Sequence, residues 1–228
     1  MNCGPQQEIP LTGGRTTSGI TRIGDTVRRP LSETSAFVQP LLQHLKEVGF
    51  NGAPRFLGID DKSREILSYF PGTVPSDIRW FSDSQLEAAA KLIQRYHNAT
   101  VNLASAYYTE VICHHDLSPC NFVFAGTLPY AIIDFDAAAP GSRSADLSYA
   151  AWLWLDIGNP DIAPQEQKKR LVLFCQAYGM PFDQHFVETM QQRQTQLIAE
   201  GEKLSSFEMA AWAADCHAWT KKNLTDAI

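Results

Sequence analysis

The residues best suited to chemistry are those of His114-His115-Asp116-Leu117-Ser118-Pro119-Cys120-Asn121, with Asp134 and Asp136 following in Ile133-Asp134-Phe135-Asp136. An aspartate on a loop between apolar runs can accept a hydroxyl proton and aim the oxygen that loses it. An asparagine five residues later and a carboxylate at the end of the next hairpin can converge on Mg2+, which takes hard oxygen ligands. Phosphoryl transfer asks little more than positioning and charge neutralisation. On this reading Asp116 is the catalytic residue, and Asn121, Asp134 and Asp136 serve the metal.

Other chemistries fail on spacing. His115-Asp116 matches the dipeptide of metal phosphohydrolases, but its neighbours, Val111-Ile112 and Phe122-Val123-Phe124, are strand-like rather than helical. A zinc deaminase would need an H-x-E order and a second cysteine three positions beyond Cys120, and neither is present. Cys113 and Cys120 fit no standard zinc spacing. His97, at the end of a predicted helix, reads as a packed or capping residue rather than a base.

These residues need a scaffold, and the patterning supplies one. Ile20 to Ile23 and Thr26 to Arg29 read as short strands joined by a hairpin turn at Gly24-Asp25. Ser32 is the predicted N-cap of a helix over 33–48, with Phe37, Leu41, Leu45 and Val48 at helical spacing. Pro54 to Ile59 and Glu65 to Phe70 read as two further strands, and Pro71-Gly72 through Pro75 marks a boundary between a lobe over 1–72 and another over 73–228. Beyond it come a helix over about 83–98, a β interlude at 111–135 holding the motifs, and helices over about 164–178, 183–200 and 206–223. Trp152 and Trp154, two apart on a helix, cannot share a face, so one is expected in the core and the other at a pocket. The fold class is α+β, a small β-rich lobe joined to a larger helical one.

Composition narrows the function classes. The chain has 228 residues, 44% of them hydrophobic, enough for a real core. No apolar run approaches a membrane span, and the first ten residues lack the pattern of a signal peptide, so a cytoplasmic protein is expected. Five cysteines without a C-x-x-C pair suggest reduced thiols. The net charge of -6 argues against a nucleic-acid partner. The first 110 residues carry 11 basic and 11 acidic side chains, so the imbalance lies wholly in the second half. It favours a small cationic substrate, with Asp156, Asp161, Glu200, Glu202 and Asp215 left to recognise an amine.

The loop pattern H-x-D-L-x-x-x-N, met by His114, Asp116, Leu117 and Asn121, resembles the catalytic loop of protein kinases, with Asp134-Phe135 where D-F-G begins. Asp136 in place of glycine, Pro119 inside the loop and the lack of an A-P-E signature make the chain similar to the aminoglycoside phosphotransferase and choline kinase branch of the protein-kinase-like fold. That resemblance implies a bilobal fold with a truncated N-lobe and a kinase moving the γ-phosphoryl of ATP or GTP, with Mg2+, to a hydroxyl of a small aminoglycoside-, choline- or amino-sugar-like molecule. It gives His114 a structural part in holding the loop, and Asp146, in Ala145-Asp146-Leu147, the brace beneath it. Ser68, Tyr69 and Phe70 become the hinge that meets the base, and Gly13 and Gly14 the remnant of a phosphate-cradling loop. Arg28, preferred to Arg29 on a V-x-K/R pattern, becomes the phosphate contact. Helix 33–48 offers only Glu33 and Glu47 at its ends in place of the mid-helix glutamate kinases use. Some relatives in this branch carry a trifolitoxin-immunity label, so a catalytically weak or inactive kinase-like binding protein is the alternative.

Overall fold

Short β-branched runs broken by turn residues set up the first part of the chain. The computed structural model describes residues 7–11 and 19–224. In it β1 (Ile9–Pro10), β2 (Thr21–Ile23), β3 (Thr26–Pro30), β4 (Phe56–Ile59) and β5 (Arg64–Ser68) form one antiparallel sheet in the order β1-β2-β3-β5-β4. The expected Gly24-Asp25 turn closes the β2–β3 hairpin, with Ile23 opposite Thr26. Asp60 makes the other turn by accepting the backbone N–H groups of Lys62 and Arg64, each at 2.9 Å. Between the hairpins runs α1 (Ser35–Glu47), whose buried Val38, Leu41, Leu42 and Leu45 share one face at helical spacing. The helix starts later than predicted. Ser32 lies outside it as a turn residue, its N–H donating to the Ser35 hydroxyl at 3.0 Å, and Thr34 is the cap position.

The connection to the second part is pinned at Gly72 and Thr73. Thr73 and Phe124 exchange two backbone hydrogen bonds, of 3.1 and 2.8 Å, which lay the chain across the later hairpin. Gly72 has φ +155°, and a Cβ there would stand 2.3 Å from the Phe124 carbonyl oxygen. Only glycine lets the backbones approach this closely.

Ser82 then starts α2 (Asp83–Ala104) with a reciprocal cap: its hydroxyl accepts from Gln85 N–H, and the Gln85 side chain accepts from Ser82 N–H. The helix runs past the predicted end near residue 98, because nothing between His97 and Ala104 interrupts it; Thr100 and Ala104 continue its buried face. Around α2 lie β6 (Val111–Cys113), the hairpin β7 (Phe122–Ala125) and β8 (Leu128–Ile132), and β9 (Ala139–Gly141), which pairs antiparallel with β6. Four helices follow among the described residues: α3 (Arg143–Trp154), α4 (Pro164–Tyr178), α5 (Gln184–Lys203) and α6 (Phe207–Leu224). None of the described helices is long and apolar enough to cross a membrane.

An antiparallel sheet followed by a mainly helical region is the α+β architecture expected. Its core differs from expectation at the tryptophans, since both are fully buried. Trp154 packs against Phe81 and Phe122 at ring distances of 4.7 and 4.9 Å, while Trp152, on the other side of α3, stacks on Trp212 at 4.8 Å. The helix is sandwiched, so opposite faces both meet apolar partners and neither indole lines a cleft.

Gly72→Ala should therefore destabilise the chain by about 1–3 kcal/mol through overpacking and positive-φ strain, read as a lower midpoint in urea unfolding at unchanged slope. A neutral result would mean that residue 72 does not hold this close approach.

Candidate active site

β6 carries the chemistry to the surface from the interior. Val111, Ile112 and Cys113 are all buried, and the chain turns at His114 and His115 into the loop that bears Asp116. His115 is held in the left-handed region at φ +62°, which costs about 1 kcal/mol or more for a non-glycine residue. What holds it there is Asp146, one turn into α3, whose two carboxylate oxygens accept the backbone N–H groups of His114 and His115 at 2.7 and 2.8 Å. Asp146 also meets His97 Nε2 at 2.9 Å, and His97 Nδ1 meets the Tyr178 hydroxyl at 2.7 Å, which accepts from Arg143 at 3.1 Å. Burial opposes the Asp146 charge, yet the His97 hydrogen bond, with the backbone N–H and the nearby imidazoles, outweighs it and lowers the carboxyl below its ordinary value. His97 is thus a packed residue, as its helix position suggested.

The His114 imidazole lies under the loop. Its Nε2 faces the Ile133 carbonyl at 3.0 Å and its Nδ1 the Asp116 N–H at 3.3 Å, an arrangement that assigns the proton to Nε2. Burial lowers the His114 pKa and keeps the ring neutral, against the pull of Asp146 and other carboxylates. Farther along, the Trp154 indole donates to the Leu117 carbonyl at 3.1 Å. The Asp116 backbone is thereby fixed on both sides.

Three of the four predicted chemical residues meet at the mouth of this loop. The Asn121 amide nitrogen donates to the Asp116 carbonyl and to Asp116 Oδ2, at 2.9 and 2.8 Å. That leaves the Asn121 side-chain oxygen as the atom available to a cation. Asp134 enters from β8 in a left-handed conformation, φ +63°, with Phe135 buried against His114 at 4.7 Å. Burial and the neighbouring charge of Asp136 raise the Asp134 pKa, only partly offset by Arg29 and His114. Crowded acidic oxygens of this kind fit a divalent cation, and Mg2+ commonly uses one or two carboxylates with phosphate oxygens completing its shell. Asp116, Asp134 and Asp136 do not bring three ligand atoms within 4.8 Å of one another, so one or two would serve.

Asp136 is turned toward a cation of the protein's own. Its carboxylate accepts from Arg29, whose guanidinium also lies 4.0 Å from Asp134 and 3.5 Å from Glu65. The predicted contact, Arg28, is elsewhere: it bonds Thr26 Oγ1 at 2.6 Å and pairs with Asp60 at 3.6 Å. Neighbouring residues of a strand point to opposite faces, so only one of the two arginines can reach the carboxylates. Counted from Val27, the V-x-K/R spacing falls on Arg29. Glu65, missed in the sequence, stands opposite Arg29 in the β3–β5 register and is held by Gln39 of α1 at 2.8 Å. Glu33 and Glu47 are exposed at or beyond the ends of α1. The glutamate that braces the strand cation therefore comes from the sheet, and two-residue alternation along β3 and β5 was the signal that could have found the pair.

The predicted hinge lies beside the sheet. The Ser68 and Tyr69 N–H groups are taken by the Arg55 and Asp25 carbonyls at 3.0 and 2.9 Å, and the Ser68 hydroxyl accepts from Arg55 N–H. Phe70 packs edge-on against Tyr130. Gly13 and Gly14 lie outside the described residues.

Beside the loop, α3 and α5 frame a cavity of about 170 Å3 lined in part by His115, Tyr149, Thr189 and Arg193. Beneath it Cys113, His115 and Asp146 bring three ligating atoms within 4.8 Å. The Cys113 thiol donates to the Ser142 carbonyl at 3.3 Å, and burial raises its pKa well above the usual thiol range, so it stays a protonated hydrogen-bond donor.

Residues 75–187 match the sequence profile described as the phosphotransferase enzyme family. The trifolitoxin immunity protein of Rhizobium leguminosarum bv. trifolii is 33% identical over 174 residues, which is 68% of this chain and 65% of that protein. The chain thus spans a little under two thirds of that relative's length. An aminoglycoside 2'-phosphotransferase solved in complex with GDP superposes with a TM-score of 0.65 at 16% identity, covering 97% of this chain and 94% of the other. A choline/ethanolamine kinase family protein from Mesorhizobium loti gives 0.60 at 14% identity, covering 99% and 90%. An aminoglycoside phosphotransferase from Streptomyces rimosus, in complex with ADP and streptomycin, gives 0.59 at 13% identity over 94% of each chain.

Removing Asp146 would leave two loop N–H groups and His97 without their acceptor. Asp146→Ala should cost about 3–5 kcal/mol in denaturant unfolding at pH 7. Because folding lowers the Asp146 pKa, its contribution is complete above the unfolded value of 3.8 and is lost as pH falls through the lower folded value. The stability gap between wild type and variant should then narrow below about pH 4; a gap unchanged down to the acid limit would refute a charged Asp146.

Proposed function

The chain belongs to the phosphotransferase enzyme family and has its protein-kinase-like fold, and from that premise we propose that it transfers the γ-phosphoryl group of ATP or GTP to a hydroxyl of a small molecule. The observation that carries this reading is the Asn121 amide held between the backbone and carboxylate of Asp116, with Asp134 alongside. One polar residue thereby fixes the proposed base and keeps an oxygen for a cation.

Asp116 accepts the proton of the incoming hydroxyl and orients its oxygen on the γ-phosphorus. A new P–O bond forms there while the bond to the β-phosphate oxygen breaks, giving a phosphate ester and the nucleoside diphosphate. Asn121 and Asp134 would hold Mg2+, which would supply neutralisation of phosphate charge. Arg29, set by Glu65, presents a planar fork of donors toward the phosphates, and Asp136 keeps that fork over the cleft. His114 holds the loop and takes no proton itself. Support for nucleotide binding comes from relatives whose structures contain GDP or ADP.

The likeness to an immunity protein favours a second reading, in which this scaffold sequesters a compound without turning it over. Nucleotide use separates the two.

Isothermal titration of ATP and GTP, each with and without Mg2+, should show metal-dependent binding to wild type that Asp134→Ala loses. Asp116→Ala should bind nucleotide normally and lose about 10²–10⁴ of its turnover. Wild-type turnover in Asp116→Ala would refute the base, and absence of binding at millimolar nucleotide would favour the sequestering protein.

A further inference from the structure

The cavity beside the catalytic loop presents a guanidinium and an imidazole where the acidic second half suggests carboxylates. Its lining comes from the loop, α3 and α5: His115, Tyr149, Thr189, Gln192, Arg193 and Gln196 face it. Asp146 is the one carboxylate in that lining, and it is fully buried and engaged with two backbone N–H groups and His97. Two of the acidic residues left to meet an amine are occupied as well. Asp156 accepts from the Asn159 side chain at 2.6 Å, and both oxygens of Glu200 accept from Arg193 Nη1, at 3.1 and 3.3 Å.

Arg193 is the organising group. Its guanidinium lies 4.7 Å over the Tyr149 ring, and its side chain is less exposed, at 23%, than that of Glu200, at 51%. Both contacts to Glu200 use one nitrogen, although a guanidinium offers five N–H donors in a fixed fork that matches a carboxylate. Tyr149 connects this group to the chemistry: burial first, then the charge of Asp116, pushes its hydroxyl up to about 12, partly offset by the Arg193 charge and a side-chain hydrogen bond with Arg193. His115 adds a second donor. It is the residue next to Asp116, it sits in a strained left-handed conformation, and among the described residues its imidazole makes no hydrogen bond. Strain maintained at a residue lining a cleft marks a functional position.

We infer that the acceptor is a hydroxy compound bearing a carboxylate, gripped by Arg193 and His115 in this cavity while its hydroxyl reaches Asp116. The inference rests on the phosphotransferase reading above. Glu200 is then the group that holds Arg193 in place and yields one side of the fork, and the neutral amides Gln192 and Gln196 complete a lining suited to polar, uncharged parts of the molecule.

The test is nucleoside diphosphate release by the full chain with ATP or GTP and Mg2+, using matched acceptors that differ in charge: glycerate, glycerol and serinol, and glucuronate, glucose and glucosamine. The acid of at least one set should exceed its neutral and cationic partners in kcat/KM by tenfold or more. Arg193→Gln should remove about ten- to a hundredfold of that, mainly through KM. Glu200→Gln should lower KM for the acid, whereas a site built to read amines would lose its amine by the same change. His115→Gly should raise the KM for the acid while raising the unfolding midpoint, because glycine relieves the left-handed strain; loss of both would mean His115 is structural. Preference for the amine or the neutral alcohol, indifference to Arg193→Gln, or nucleotide binding without stimulation by either acid overturns the inference. Loss of metal-dependent nucleotide binding would instead sink the phosphotransferase reading itself.

Discussion

The Asp146 carboxylate is the interaction on which the rest of the site depends. It is fully buried, so its charge is maintained only by directed donors, and two of those donors are the backbone N–H groups that begin the loop bearing Asp116. The hydrogen bonds force the chain to turn at His115, and that turn delivers Asp116 to the cleft. The other side of Asp146 reaches through His97 and Tyr178 to Arg143, linking α2, α4 and the first residue of α3 in one polar chain. Elements distant in sequence are thus tied to one carboxylate, and a small change there is felt at the residue proposed to handle the proton.

A second constraint is the repulsion among acidic groups. Asp134 is raised by burial and by Asp136, and Asp116 adds to the same field. The chain counters with Arg29, itself buried and set by Glu65. Charge is therefore unevenly distributed across the cleft: Asp136 is satisfied by the arginine, while Asp134 lies 4.0 Å from it. The asymmetry separates two carboxylates that the sequence assigned the same task. Asp134 is the less engaged of the two, and Asp136 is the one paired with Arg29.

The legible parts of the sequence were those in which one residue type has one physical use. Gly24-Asp25 could close a two-residue hairpin, and a polar loop between apolar strands could only surface at a cleft. What was not legible depended on partners far along the chain. Glu65 was harder to read because the residue it serves lies across the β3–β5 register, and only two-residue alternation along both strands points to the pair. Arg28 and Arg29 are adjacent and chemically identical, so only the pleat separates them. The acidic surplus of the second half is a sum that hides pairing: Glu200 is paired with Arg193 and Asp156 accepts from the neutral Asn159 amide, arrangements that follow from helix packing and a tight turn rather than from composition.

The source of the Arg29 partner also changes what keeps the small sheet competent. A glutamate on a helix depends on how that helix is placed, and a pair formed across a helix and a strand breaks when the helix swings. Here β3 and β5 hydrogen-bond along five residue pairs, and their register puts Glu65 opposite Arg29 without help from α1. Gln39 still connects α1 to Glu65, but as a neutral donor whose loss would leave the ion pair intact. An arginine suits this arrangement better than a lysine. Its planar fork can meet Glu65 through Nε and Asp134 and Asp136 through the two terminal nitrogens at once, whereas a single ammonium would have to choose among them. A rigid strand pair and a forked cation together position the charge by sheet geometry.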